Sequence, residues 1–257
     1  MTVRPAVEER PADWGREWAE TPLDLEAPHA EAKTLRWREQ ERLIRERFGG
    51  FEGLRAIEIG AGRGLNGFLF AERGARVTLL DLEPLPLEQA RTLFTAHGLE
   101  VETVLGDVFD LPAELRGPFD VSMSYGLCEH FLGERRLGVV AAHLELLRPG
   151  GLALLGVPNR WSPVYRAWIA VLMRRGTWPL GTEVPFSPAE AAALARAAGG
   201  DPLEPRFGSF AASVVNHGVN QVLFKLGRRG LPIPQVRVPL VDRLAYELLL
   251  PVVKPGA

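Results

Sequence analysis

The sequence predicts a doubly wound α/β domain, a mostly parallel sheet covered by helices on both faces. Three observations carry this reading. Between Arg55 and Pro158 short apolar runs alternate with helix-favouring segments, the rhythm of strand–helix–strand units with right-handed crossovers. The first of these runs leads straight into a glycine turn and then a helix, the place where such sheets bind ligands. Hydrophobic residues make up 46% and charged residues 24% of the 257, the balance of a globular chain with an adequate core.

Taken in order, residues 1–28 are rich in Pro, Glu and Trp without clean periodicity and read as an extended arm. Trp14 and Trp18 in this arm are candidates to close over a ligand. From His29 to Phe48 the chain is charged and helix-favouring, with Leu35, Leu43 and Ile44 as buried positions, and Gly49-Gly50 ends it. RAIEIG, ARVTLLD, VETVLGD, FDVSMSY and GLALLGVP follow as five strands. The helices between them are NGFLFAERG, LPLEQARTLFTAHG and RRLGVVAAHLELL. After Pro158 the rhythm breaks into a segment with Trp161, Tyr165, Trp168 and Leu172 at helical spacing and Arg166, Arg174 and Arg175 beside them. SPAEAAALARAAGG is a helix with Ser187 as N-cap and Glu190 at the capping-box position. The resulting division is an arm and cap helix over 1–50 and the sheet domain over 51–257, with a lid insertion at about 160–185.

Charge and cysteine content exclude several classes. Thirty basic residues against 32 acidic ones leave a formal charge of −2, so no net field favours nucleic acid as a partner. Cys128 is the single cysteine, which excludes an intrachain disulfide and a multi-cysteine metal site. The amino-terminal stretch has no apolar signal core, and no apolar run approaches the roughly 20 residues that span a bilayer. The expected location is cytoplasmic.

AIEIGAGRGLNG is the most informative stretch. A buried strand runs into Gly60, Gly62 and Gly64, where a tight turn lets a ligand approach the backbone closely. The next strand ends at Asp81, about twenty residues on, the position of a carboxylate that binds ribose hydroxyls. Gly62, Gly64 and Gly67 spell G-x-G-x-x-G, which by itself suits a nicotinamide or flavin dinucleotide as well as S-adenosylmethionine (SAM). Charge separates the two. Glu58 just before the turn opposes a pyrophosphate but suits the sulfonium and ammonium of SAM.

At this point the sequence resembles a family. IEIGAGRG, VTLLDLEP, GDVFDLP, FDVSMSYGLCEHF and LRPGGLALLGVPN resemble, in order, the motifs of class I SAM-dependent methyltransferases. The likeness is nearest to small-molecule enzymes of the ubiquinone and menaquinone biosynthesis type. It implies a Rossmann-like sheet of seven strands with the last antiparallel, SAM as cofactor and a small, largely apolar organic acceptor methylated on O, N or C. It also implies cofactor contacts at Glu58, Gly60, Ala61, Gly62, Gly64, Asp81, Leu82, Asp107, Val108, Ser124 and Tyr125.

Displacement on a sulfonium needs alignment and a dry site, and a base only when the nucleophile must lose a proton. His130 is the candidate base, with Glu129 to orient it or to bind the acceptor; the alternative is that the pair only caps the next helix. Some quinone-pathway relatives show an E-x-x-E-H pattern proposed to hold a metal; Gly126 replaces its first glutamate, and no metal is expected. Cys128 reads as packing, His143 as a helix-surface residue and His97 as a cation suited to a helix end. His217, in VVNHGVNQVLF, lines the acceptor pocket or sits in a hydrogen-bonded core. The 161–178 segment reads as a helix on the core, with peripheral membrane contact as the less favoured alternative. A dinucleotide oxidoreductase and a non-catalytic SAM-fold protein are the competing functional readings, and the oligomeric state is open.

Overall fold

A computed structural model describes residues 12–178 and 180–256, so part of the expected arm, residues 1–11, lies outside the described residues. Eight strands form one sheet: β1 Arg55–Ile59, β2 Arg76–Asp81, β3 Glu102–Leu105, β4 Phe119–Tyr125, β5 Leu147–Pro158, β6 Asp201–Pro202, β7 Arg206–Phe207 and β8 Glu247–Val253. Their order is β3-β2-β1-β4-β5-β8-β6, with β7 also on β8. The first five strands run parallel, and β8 inserts antiparallel beside β5.

Alternation along the strands explains the two-sided burial. Ala56, Leu152, Leu154 and Leu249 enter one core with Phe68, Phe94 and Trp37, whereas Ile57, Ala153, Leu155 and Leu250 enter the other with Val139, Leu146 and Ala195. Both faces of each central strand are therefore apolar, as a parallel sheet requires.

Helices α1 Trp14–Glu20, α2 Ala27–Glu31 and α3 Leu35–Phe48 precede the sheet; α4 Leu65–Ala71, α5 Pro84–Ala96 and α6 Gly133–Leu146 are its crossovers. The cap helix starts at Leu35, not His29, because the Thr34 hydroxyl accepts the Trp37 N–H at 3.0 Å and ends the preceding turn. Leu35, Leu43 and Ile44 are all buried. The arm, expected to be extended, contains α1 and α2.

Beyond β5 come α7 Pro163–Arg174 and α8 Pro188–Ala197, the latter capped by the Ser187 hydroxyl on the Glu190 N–H. A helical run follows: α9 Phe210–Ser213, a π-helical stretch Val214–Asn220 and α10 Gln221–Lys225. The resemblance implied seven strands; the sheet has eight because the expected sixth is broken into β6 and β7. Pro202 and Pro205 fall in this segment, and proline has no N–H to give to a ladder.

Candidate active site

β1 delivers the chain into a turn where Gly60, Gly62 and Gly64 adopt φ of 58°, 53° and 66°. A side chain at any of them would be strained, and a Cβ on Gly62 would lie 2.6 Å from the Trp18 ring. The turn is pinned from beside it. Asp81, at the end of β2, accepts the Gly62 N–H at 2.7 Å on one carboxylate oxygen and the Glu83 N–H at 2.9 Å on the other. Burial raises the Asp81 carboxyl, and those backbone donors pull it back. Glu58 lies beneath the turn, where it accepts the Gly67 N–H in the first turn of α4 at 2.7 Å. Burial pushes Glu58 up to about 8, opposed by Gly67 and Arg36.

The turn opens onto a cavity of about 350 Å³ at the carboxyl ends of β1, β2 and β4. Gly60, Ala61, Gly62, Asp81, Leu82, Asp107 and Val108 form one end, and Tyr125, Glu129, His130, Glu183 and Tyr246 lie along the rest. A larger hollow, about 820 Å³, sits at the opposite edge among Arg55, Arg76, Thr78 and Glu102. Ligands of open α/β sheets bind at the carboxyl ends of strands, which selects the smaller cavity.

Three of the eleven expected cofactor contacts do not line it. Glu58 is under the turn, Gly64 packs on Leu79, and the Ser124 hydroxyl is turned to the His143 Nε2 at 3.0 Å. His143, expected on a helix surface, is fully buried on α6 between Ser122 and Ser124, and burial lowers its imidazole to about 3. The Tyr125 phenol donates to Gln40, and the Arg36 guanidinium stands 4.2 Å from its ring centroid. Arg36 is itself buried against Glu31 at 2.6 Å and Glu247 at 3.1 Å. Burial opposes its charge, but those two carboxylates outweigh it and hold the guanidinium fully protonated.

The part of the cavity away from the glycine turn is built by a short turn, Cys128–His130, clasped to the expected lid. The Glu129 carbonyl accepts the Val184 N–H at 2.9 Å, and His130 Nδ1 donates to the Thr182 carbonyl at 2.7 Å. Burial lowers the His130 imidazole, partly offset by the Thr182, Gly126 and Leu180 carbonyls. Glu129 and Glu183 are 2% and 8% exposed, and each has one carboxyl oxygen without a hydrogen-bond partner. Burial, reinforced by Glu183, holds Glu129 well above the usual carboxylate range, and burial alone raises Glu183 to about 7. Cys128 is buried and its thiol is pushed up to about 12, an unreactive environment.

Glu183, Gln40, Arg36 and Tyr246 were not anticipated. The only signal for Glu183 was a single carboxylate within the apolar WPLGTEVPF of the lid segment. His217 stands among Tyr165, Trp168 and Tyr246, 4.6 to 5.5 Å between ring centroids, and is absent from the cavity wall. Trp14 meets the His130 ring edge-on at 5.0 Å. Arg63 reaches the Thr21 and Pro22 carbonyls and lies under Trp18, so α1 roofs the glycine turn. Among the described residues, the grouping with metal-ligand spacing is Glu26, His29 and His97, away from this cavity.

The methyltransferase-domain family matches residues 56–151. The chain is 33% identical over 153 residues to a ubiquinone biosynthesis O-methyltransferase of Xanthomonas axonopodis pv. citri, covering 57% of this chain and 62% of the relative. A protein of the same name from Bordetella avium is 31% identical over 183 residues, covering 68% and 74%. The 1,6-didemethyltoxoflavin-N1-methyltransferase structure of Burkholderia thailandensis superposes with a TM-score of 0.57 at 18% identity, covering 99% of this chain and 94% of that one. This last likeness concerns the fold alone.

Proposed function

Because the chain belongs to the class I SAM-dependent methyltransferases, we propose that it moves a methyl group from SAM to an O, N or C atom of a small, largely apolar acceptor. The cavity fits the cofactor. Glycines 60 and 62 line the cavity at positive φ, with Leu127 and Trp18 packed against them, and Asp81 keeps spare lone pairs for ribose hydroxyls beyond its two backbone bonds. Asp107 and Val108, with Leu82 opposite, suit the adenine, and Ala61 and the Tyr125 backbone complete that wall. SAM, when bound, supplies a methyl group on a cationic sulfur.

The chain's own residues then exclude water and manage a proton. Trp14, Leu127, Phe131 and Leu180 give the far end apolar walls. Glu129 and Glu183, with carboxyl oxygens unspent inside the protein, are placed to bind an O–H or N–H of the acceptor. His130 and Glu129 are the catalytic pair of this reading. A carboxyl raised above its ordinary range, as burial and Glu183 raise Glu129, is a better acceptor for a proton than one at its ordinary value. Residues 160–185 serve as the lid and 1–50 as the cap. The acceptor is read as small because the cavity holds only about 350 Å³, which leaves no nucleic-acid role, and the setting as cytoplasmic.

The observation that carries the proposal is the Asp81-pinned glycine turn opening on a cavity that also holds two buried carboxyls. Calorimetric titration with SAM tests it, together with transfer of label from methyl-tritiated SAM to extracted metabolites. Binding in the micromolar range is expected, and Asp81→Ala is expected to weaken it at least about tenfold, the loss of a charge-assisted hydrogen bond. Unchanged affinity in that variant, or no binding by the parent, refutes the proposal.

A further inference from the structure

Charge is not spread evenly over this chain. Residues 160–182 and 205–241 carry nine of the 30 Lys and Arg residues and no Asp or Glu, while the rest holds the other 21 against all 32 acidic residues. The two segments form one body, since Tyr165 and Trp168 on α7 pack on His217 of the π-helical stretch at 5.5 and 5.1 Å. Three of the nine cations are spent on carboxylates: Arg160 on Glu190, and Arg206 and Arg237 on Glu39. The other six, Arg166, Arg174, Arg175, Lys225, Arg228 and Arg229, are exposed and have no ion-pair partner among the described residues.

Apolar side chains stand between these cations. Val222, Phe224, Leu226, Leu231 and Ile233 are 44% to 67% exposed around Lys225, Arg228 and Arg229. The tip that bears them is built. The buried Asn220 accepts the Leu231 N–H at 2.6 Å and donates to the Leu231 carbonyl at 3.0 Å, closing the loop on α10. Leu226 and Arg228 N–H groups return to the Val222 and Leu223 carbonyls and fix the turn between. On α7, Val171 and Met173 are exposed as well; of the stripe expected to pack inward, Tyr165 is buried, Trp168 and Leu172 are half-buried, and Trp161, just before the helix, is exposed.

We propose that this tip and the exposed side of α7 dock on an anionic lipid bilayer. Unpaired cations interleaved with large apolar groups, on segments that carry no acid, match a charged headgroup layer above acyl chains. The net charge of −2 gives no such attraction; the local field does. A nucleic acid would use the cations but leave Leu226, Leu231 and Ile233 in water. The same 160–182 segment supplies Leu180 to the cavity wall, so docking brings the acceptor end to the bilayer.

Flotation of the full chain with phosphatidylcholine vesicles, with and without phosphatidylglycerol, tests this. Binding to the anionic vesicles alone is expected, and it weakens as salt rises. A Lys225→Gln, Arg228→Gln, Arg229→Gln variant is expected to lose about a hundredfold in partition, at about 1 kcal/mol per cation. Ile233→Ser with Leu226→Ser is expected to weaken binding to the same vesicles while cations remain. All five positions are exposed and off the cavity, so circular dichroism and SAM affinity stay at parental values. Equal binding to neutral vesicles, no flotation, retention on RNA without vesicle binding, or a dimer dispersed by Ile233→Ser would each overturn the proposal.

Discussion

Replacing Glu183 by Gln removes one ionisable group from the acceptor end of the cavity while keeping its size. Burial holds the Glu183 carboxyl at about 7 against an ordinary 4.5. At about 1.4 kcal/mol per pH unit, that difference is worth roughly 3 kcal/mol. Below the ordinary value both folded and unfolded chains keep the proton. As pH climbs from there towards 7 the unfolded chain gives its proton up while the folded chain keeps it, so native stability falls across this window and then levels off. Glutamine does not titrate, and the loss disappears. Glu129, which Glu183 helps to hold up, is relieved in the same direction. The variant is therefore expected to match the parent near about pH 4 and to exceed it by up to roughly 3 kcal/mol at about pH 8. Urea unfolding across that range measures it, the difference between two curves cancelling every group they share. Parallel curves, or a variant weaker than the parent at alkaline pH, would show that Glu183 is solvated and that the dry acceptor end does not exist. A gain in stability with a loss of methyl transfer is the signature of a group kept for chemistry.

Two further outcomes follow from the same geometry. Gly62→Ala places a methyl group 2.6 Å from Trp18 at a positive φ, so the N-terminal helix is displaced; SAM affinity is expected to drop and Trp18 fluorescence to shift towards that of an exposed indole. Parental affinity and emission in the Gly62→Ala variant would mean that Trp18 does not cover the turn. Arg36→Met strands Glu247 beside Glu31 without a cation and is expected to cost about 3 to 5 kcal/mol in chemical unfolding, far more than the exposed Arg16→Met. Equal costs for the two would refute the buried network.

The parts that were legible in the sequence share one property: their signal is local. The five parallel strands, the glycine turn and Asp81 are each written in a dozen consecutive residues, because short continuous apolar runs and positive-φ glycines need no distant partner. Glu183 was not legible, because its meaning lies in its proximity to Glu129 across 54 positions of chain and in one buried carboxyl oxygen left without a hydrogen-bond partner. Arg36 and Gln40 likewise acquire their roles through Tyr125, contributed by β4. His143 was misplaced for a different reason. It falls at helical spacing from Val139, Val140 and Leu146, on the buried face of α6, and a polar residue there is satisfied only by Ser122 and Ser124 of the adjacent strand. The broken sixth strand was hidden by its prolines, which also hid the pairing of its two pieces with β8.

The helix above the glycine turn buries none of its seven residues, and its grip rests on a few contacts: Arg63 with two carbonyls and a tryptophan face, Trp18 on Gly62 and Trp14 on His130. An attachment of that size releases at a small fraction of the cost of unfolding the sheet. Ligand exchange is therefore expected to use this helix as a door whose hinge and latch lie outside the parallel strands. How fast that door swings is then set by a few amino-terminal contacts, which can change without altering the floor where the chemistry occurs.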